Sequence, residues 1–400
     1  MSLFALAWSY LRSRPLGTLL NIVLLALGVG TIGFVVIAND QIGDSLNRDA
    51  RGIDLVVGAK GSPMQLILAG IYQLDAPTGN IPLAAADELS RDPLIRKTVP
   101  MSLGDSFRGY RIVGTAPDYI GLYGGELAAG RLWNGKMEAV LGATVASRSG
   151  LGVGSQFVGS HGLSEGGAVH GDSVYTVVGV LKPTGSVLDR LVLVNLESVW
   201  FVHEGVLSDP EELKVVAAER QVTMLLVQYA TPLAAVSLPR KVNTQTNMQA
   251  ASPAYESARL FRMIGVGADV VRAFGGVVLV TAALSLFIAL YHALNERAYD
   301  IAVLRTLGSR PSAIALMLLI EASMLAIIGG VLGLLLAHCL AAVLAGWMTE
   351  QQSLRIDPWA FSVSELWLLA PALLAALLAA LLPSWRAAHA NISATLARRA

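Results

Sequence analysis

Four long runs of apolar residues, nearly free of charge, limit what this chain can fold into. Residues 16–38, LGTLLNIVLLALGVGTIGFVVIA, carry no charged side chain, and about 20 such residues suffice to cross a bilayer. Residues 271–294, 312–348 and 364–385 repeat the pattern. The third run is longer than a bilayer needs. It contains Glu321 near its start and His338 late, so its first part is expected to lie in the interface. A signal peptide would have an apolar region of roughly 7–15 residues. The first run exceeds that and is expected to stay as a helix.

Between the first and second runs the composition changes to that of a soluble domain. Over all 400 residues only 14% are charged and the mean hydropathy is +0.58, whereas soluble proteins carry about 25% charged residues. The expected fold is therefore an integral membrane α-helical protein, with four spans in a 1+3 order and one large α+β extracytoplasmic domain. The formal net charge is zero, which gives no footprint for a nucleic-acid partner. The one cysteine, Cys339, lies inside an apolar run, so neither an internal disulfide nor a cysteine-based metal site can form.

Charge asymmetry sets the orientation. Four spans put both termini on one side. The short flanks there hold Arg12, Arg14, Arg297, Arg305, Arg310, Arg386, Arg398 and Arg399, whereas the opposite loop, 349–363, holds Arg355. Short basic loops stay in the cytoplasm. This places the 1–15 segment, the 295–311 segment and the 386–400 tail in the cytoplasm, and residues 39–270 outside it. Residues 1–15 carry Leu3, Phe4, Ala7, Trp8 and Leu11 on one helical face and read as an interfacial helix.

The stretch Asn295–Pro311, NERAYDIAVLRTLGSRP, has five charges among its seventeen residues. Ile301, Leu304 and Leu307 form a stripe at helical spacing, with Glu296, Arg297, Asp300, Arg305 and Arg310 around it. Gly308 ends the pattern and Pro311 opens the next helix. The spacing fits two readings: a solvated loop, or a short amphipathic handle for another protein. Glu321 is placed where it could pair with an arginine of this stretch, and both Glu321 and His338 are costly to bury in lipid.

In the large domain, Ile42, Leu46 and Ile53 continue a helical stripe out of the first span, and residues 256–270 mirror it, as two stalks. DLVVG, YRIVGTA, EAVLGA, SQFVGS, VYTVVGVL, RLVLVNL and VTMLLVQY read as strands. AAADELSRD, EELKVVAAE and TPLAAVSLPRKVNT read as helices. A division into two subdomains is expected near Gly130, with a return near Val206.

Three motifs in the domain point elsewhere. GRLWNGKM, 130–137, fits a phosphate-binding loop except that Met137 replaces the magnesium-holding hydroxyl. GLSEG, 162–166, fits a nucleophile elbow around Ser164, but its setting is a Gly-rich hairpin loop rather than a strand-to-helix turn. His161, His170 and the pair His203-Glu204 offer imidazoles for a metal, at a spacing that matches no specific site. The sequence expectation is no metal site.

The order of one span, a large domain and three spans resembles the MacB- and FtsX-like ABC transporter permeases. NERAYDIAVLRTLGSRPSAI is similar to the cytoplasmic segment after their second span. EASMLAIIGGVLGLLLA resembles their Gly-rich third span, and LLPSWRAAHANISATLARRA their closing segment. GRLWNGKMEAVLGATVASRSGLGVGSQF through YTVVGVLKPTGSVLDR is similar to their periplasmic domain. DLVVGAKGSPMQLILAGIYQLDAPTGNIP resembles a subgroup linked to zinc acquisition. The resemblance implies an inner-membrane permease with no catalytic activity of its own. It implies a homodimer working with a separate cytoplasmic ATPase that uses ATP and Mg2+, with Glu296, Arg297, Asp300, Ile301, Leu304, Arg305, Leu307 and Gly308 as the docking segment. Motion rather than passage through the spans would do the work. A periplasmic adaptor or substrate-binding protein is a further expected partner. The alternatives are an FtsX-like regulator of a periplasmic partner, a lipoprotein-releasing permease, or a hydrolase built on Ser164.

Overall fold

The computed structural model describes residues 3–162, 169–204, 219–350 and 357–389. Helix α1 (Leu3–Ser13) is followed by α2 (Pro15–Asp49). The large domain then contributes β1 (Leu55–Ala59), α3 (Pro63–Gly70), β2 (Ile81–Pro82), α4 (Leu83–Ser90), β3 (Ile95–Phe107), β4 (Tyr110–Thr115), α5 (Asp118–Leu122), β5 (Leu127–Gly130), β6 (Glu138–Leu141), α6 (Ala143–Ser149), β7 (Gln156–His161) and β8 (Val169–Leu181). It continues with β9 (Val192–Asn195), α7 (Leu196–Glu204), β10 (Gln221–Val222), β11 (Met224–Tyr229), α8 (Ala234–Gln245) and β12 (Met248–Ala251). The chain closes with α9 (Pro253–Glu296), α10 (Ala298–Thr306), α11 (Pro311–Glu350) and α12 (Leu369–Ala388). Helices α2, α3, α9 and α11 all begin on proline, whose fixed φ and missing N–H suit the first helical position.

The chain divides into two compact units: a helical one formed by Met1–Gln41, Ile264–Trp347 and Ile356–Ala400, and a domain formed by Ile42–Met263 with Met348–Arg355. Among the described residues four helices are long and apolar enough to cross a membrane. Small residues let them approach closely. A Cβ on Gly333 would lie 2.8 Å from the Ala26 carbonyl and 3.1 Å from the Gly30 amide nitrogen, and one on Gly329 would lie 3.2 Å from the Ile22 carbonyl. Close backbone approach at glycine is how helices gain packing where lipid removes the hydrophobic drive. Ala282, Ala322, Ala372, Ala376 and Ala380 fill the centre, whereas Leu19, Val280, Val343 and Leu378 point outward.

The domain is organised around β3. Its neighbours are β11, β4 and β7, and a bulge between Leu103 and Ser106 re-aims its second half. Strands β3, β4, β9, β6, β8 and β7 pair in turn and return to β3, closing a six-stranded ring. Strands β11, β1 and β12 extend the same sheet from β3, and β5 borders β8. A bulge adds local twist, which allows one long strand to serve both the ring and the open part. The expected division near Gly130 is therefore not a boundary: β5 pairs with β8 across it, and β3 belongs to both parts. Gly130 itself has φ +78°, and a Cβ there would lie 2.1 Å from the Val178 carbonyl.

The stripe beyond residue 38 lies on the continuation of α2 and just past its end, and packs in the domain core. Leu46 and Ile53 are buried, and Ile42, Leu260 and Phe261 pack against the same cluster. Asp49 ends α2 in this core. Its Oδ1 accepts the Val187 N–H at 2.7 Å, its carbonyl accepts the Tyr123 hydroxyl at 3.1 Å, and the Arg190 guanidinium lies 3.8 Å away. Burial pushes the Asp49 carboxyl up to about 6, against the pull of Arg190 and the Val187 amide. The helix expected at EELKVVAAE lies outside the described residues, as does the return near Val206.

Candidate functional site

The 295–311 stretch forms a short helix between two long ones. Helix α10 begins after Arg297 and ends in a left-handed turn at Gly308, with φ +95°. The Ser309 N–H reaches the Leu304 carbonyl at 3.0 Å and the Gly308 N–H reaches Arg305 at 3.1 Å. This is the paired arrangement by which a glycine closes a helix. It turns the chain before Pro311 opens α11.

A buried charge pair fastens this element to its neighbours. Arg297 Nη1 donates to Glu321 Oε2 at 3.2 Å, both side chains being less than a tenth exposed. The same guanidinium lies over the Tyr10 ring, 3.9 Å from its centre, and Glu296 pairs with Arg14. Arg305 donates to the Ala388 carbonyl at 3.0 Å, and Arg386 donates to the Tyr291 hydroxyl at 2.6 Å. Tyr10 of α1, Glu321 of α11 and the Ala388 carbonyl of α12 therefore meet the stretch, and Arg386 ties α12 to α9 beside it. The partner expected for Glu321 is Arg297. His338 is also paired: Nε2 lies 2.9 Å from Glu365 Oε2, and Nδ1 lies 2.8 Å from the Pro358 carbonyl. Arg297, Glu321 and His338 thus each meet a hydrogen-bonding partner, as low dielectric demands.

The eight residues expected to dock a partner fall into two groups. Arg297 and Ile301 are buried in the helical unit, Leu304 is half-buried, and Arg305 is held on α12. Glu296, Asp300, Leu307 and Gly308 are exposed, with Leu307 at 78%. Tyr299 and Arg310 add to the exposed set. The apolar stripe is divided, with its first residue anchoring the helix and its last open. The stripe on α1 divides too: Ala7 and Leu11 are buried, while Phe4 and Trp8 are exposed.

In the domain, GRLWNGKM is not a phosphate cradle. Glu138 Oε2 accepts the N–H groups of Asn134 and Gly135 at 2.7 and 3.2 Å, and the Arg131 guanidinium grips the same carboxylate. The amides that would hold phosphate are occupied by the chain's own anion. Arg131 first, and then the Asn134 amide, pull the Glu138 carboxyl down to about 2. Ser164 lies outside the described residues, as do the side chains of His170 and Glu204.

His161 and His203 do come together, on a residue that sequence reading passed over. Asp105, buried on β3, has Oδ1 3.1 Å from His161 Nδ1 and Oδ2 3.4 Å from His203 Nε2. The two rings are 5.1 Å apart. Asp105 raises the His203 imidazole above its ordinary value, against an opposing effect of burial. A lone acid in MSLGDSF gives no sequence signal, because only the β3–β7 pairing brings it to His161.

Four membrane-length helices, with a mixed-sheet domain inserted after the first, define a multi-pass membrane protein. Family comparison gives two matches: a MacB-like periplasmic core domain over residues 18–232 and an FtsX-like permease C-terminal region over residues 272–392. The chain belongs to the MacB/FtsX-like family of ABC transporter permeases. Among solved structures, the periplasmic region of MacB from Actinobacillus actinomycetemcomitans aligns at 14% identity, covering 53% of this chain and 95% of that one, with a TM-score of 0.35. The extracellular domain of the noncanonic ABC-type transporter YknZ from Gram-positive bacteria aligns at 14% identity, covering 50% and 99%, with a TM-score of 0.30. No curated protein matches the chain.

Proposed function

We propose that this permease couples ATP hydrolysis by a separate cytoplasmic ATPase to motion of its large domain, for export or extraction of a substrate. The observation that carries this reading is α10, a short helix fixed at its base and open at its end. Arg297 and Arg305 fasten it to α1, α11 and α12 and Ile301 is buried at its base, while Leu307 is open at its tip. A handle of this kind passes force from a docked partner into the spans, because its base does not yield. The arginine distribution favours a cytoplasmic position for the handle and both termini in an inner membrane. A second copy of the chain would complete the transporter, and ATP and Mg2+ would be used by the ATPase. An adaptor or substrate-binding protein outside the cytoplasm would then receive the motion.

The test uses full-length permease in nanodiscs with its ABC ATPase. Leu307→Asp and Tyr299→Ala should abolish permease-stimulated ATP hydrolysis and ATPase capture while leaving the melting temperature of the permease unchanged. Leu304→Ala and Arg305→Ala should uncouple as well, with some loss of stability from Arg305. Stimulated hydrolysis at the normal level in Leu307→Asp would show that the docking assignment is wrong.

A further inference from the structure

We propose that Asp105, His161 and His203 form a site on the large domain for one divalent transition-metal ion of the imidazole-preferring class. The three residues come from β3, β7 and α7, and their potential ligand atoms all lie within 4.8 Å of one another. Tetrahedral coordination with metal–ligand bonds of about 2.0–2.1 Å puts neighbouring donors about 3.3–3.4 Å apart. The carboxylate–imidazole separations are near that spacing, 3.1 Å from Oδ1 to His161 Nδ1 and 3.4 Å from Oδ2 to His203 Nε2, so each oxygen of Asp105 faces one imidazole. A metal could replace the protons between them with only a small shift of the exposed imidazoles.

The backbone keeps these donors in place. Asp105 and His161 are register partners across β3 and β7. The Gly162 N–H donates to the Gly104 carbonyl at 2.9 Å, and the Ser106 hydroxyl donates to the Gly162 carbonyl, clamping the end of β7 on the β3 bulge. Helix α7 starts where Asn195 Oδ1 accepts the Ser198 N–H at 2.8 Å. It lies close on β4 because Gly114 has no side chain: a Cβ there would stand 2.5 Å from Val199. This close approach lets His203, in the last turn, reach Asp105. Two adjacent strands of a closed ring and the helix over them therefore hold one donor each.

The donor chemistry selects the ion. Two imidazoles and one carboxylate suit Zn2+, Co2+, Ni2+ or Cu2+, whereas Ca2+ and Mg2+ prefer sets made of oxygen. The carboxylate is buried at 3% side-chain exposure, and the imidazoles are open at 47% and 41%. Among the described residues three side chains supply donors, and a water or an incoming ligand would reach the ion from the exposed imidazole side. The site is thus suited to an ion that exchanges with the surroundings of the domain.

The experiment is a Co2+ titration of the full-length protein in detergent, purified with a histidine-free tag and followed by visible absorption, then a Zn2+ back-titration. One equivalent of Co2+ should bind with the d–d bands of low coordination number, persist in excess Mg2+ and be displaced by Zn2+. His203→Gln, His161→Gln and Asp105→Asn should each weaken binding at least about tenfold, with the melting temperature tracked in every variant. If Asp105→Asn does not fold, His203→Gln carries the test alone, since this side chain is exposed at a helix end. His292→Gln, far along α9, should bind as the unmodified protein does. Absence of stoichiometric Co2+ binding, or equal binding in His203→Gln, would overturn the proposal.

Discussion

Removing one member of the Arg297–Glu321 pair should reveal how firmly α10 is anchored. At 3.2 Å the Coulomb attraction is about 5 kcal/mol at an effective dielectric of 20, and desolvation of both groups offsets much of it. Deleting one partner is a different matter, because it strands the other charge at a cost of about 3–5 kcal/mol. Arg297 also lies over Tyr10, a contact worth about 2 kcal/mol when desolvated. Arg297→Ala removes both contacts and leaves a bare carboxylate. It should be the worse lesion, with Glu321→Ala next. The double replacement Arg297→Ala with Glu321→Ala leaves no stranded charge and should cost less than the two single losses added, giving a coupling energy of several kcal/mol. Thermal unfolding of the full-length protein in nanodiscs reads all four corners of this cycle. If Glu321→Ala melts with the unmodified protein, or the double variant is as unstable as the two single losses added, then the pair is not an anchor and α10 is not held as described.

Two further outcomes follow from the packing and the charges. Asp49 has a folded value of about 6 against 3.8 for the free group, so folding favours its protonated form. Its stabilising contribution is complete below pH 3.8 and is lost as the pH rises through about 6. That amounts to about 3 kcal/mol at 1.36 kcal/mol per unit. Asp49→Asn can still accept the Val187 N–H, and it should become progressively more stable than the unmodified protein between pH 4 and 7. A difference that does not change with pH refutes this. Gly333→Leu should force α2 from α11 and cost about 1–3 kcal/mol from overpacking. Gly276→Leu, where a Cβ meets nothing within 4 Å, should be tolerated. Equal melting temperatures for the two leucine variants would contradict the close crossing.

The membrane helices were legible because burial in lipid writes itself as long uninterrupted apolar runs. The strands EAVL, VYTVVGVL and MLLVQY were legible because β-branched residues cluster between turn formers. The long strand β3 was not. Its Pro100, Gly104 and Asp105 look like breaks, yet they sit at a bulge and within a ring that supplies partners on both sides. Helix α3 has little sequence signal because GSP looks like a turn, whereas Ser62 caps the helix and Pro63 begins it. In the 295–311 stretch the composition predicted a helix and its end at Gly308, but not which residues face inward. Arg297 is the buried one and Leu307 the exposed one, an inversion of hydrophobicity that depends on Glu321 and Tyr10 from other helices. The Asp105 cluster was invisible for the same reason, since its three members lie on separate elements that only tertiary pairing joins.

The way β1 is paired has a consequence for synthesis. Leu55 pairs with Val227, and Val56 pairs with Ala251, so the first strand of the domain finds both neighbours only among its last. Long-range pairing of this kind is slow, because the loop must close before the contact is gained. The edge of β1 stays open until residues near 251 have left the ribosome, immediately ahead of Pro253, where α9 begins. Completion of the domain and delivery of the second span therefore fall at the same moment in the life of the chain. An arrest of translation just before α9 would leave an unpaired edge, open to aggregation or to a chaperone.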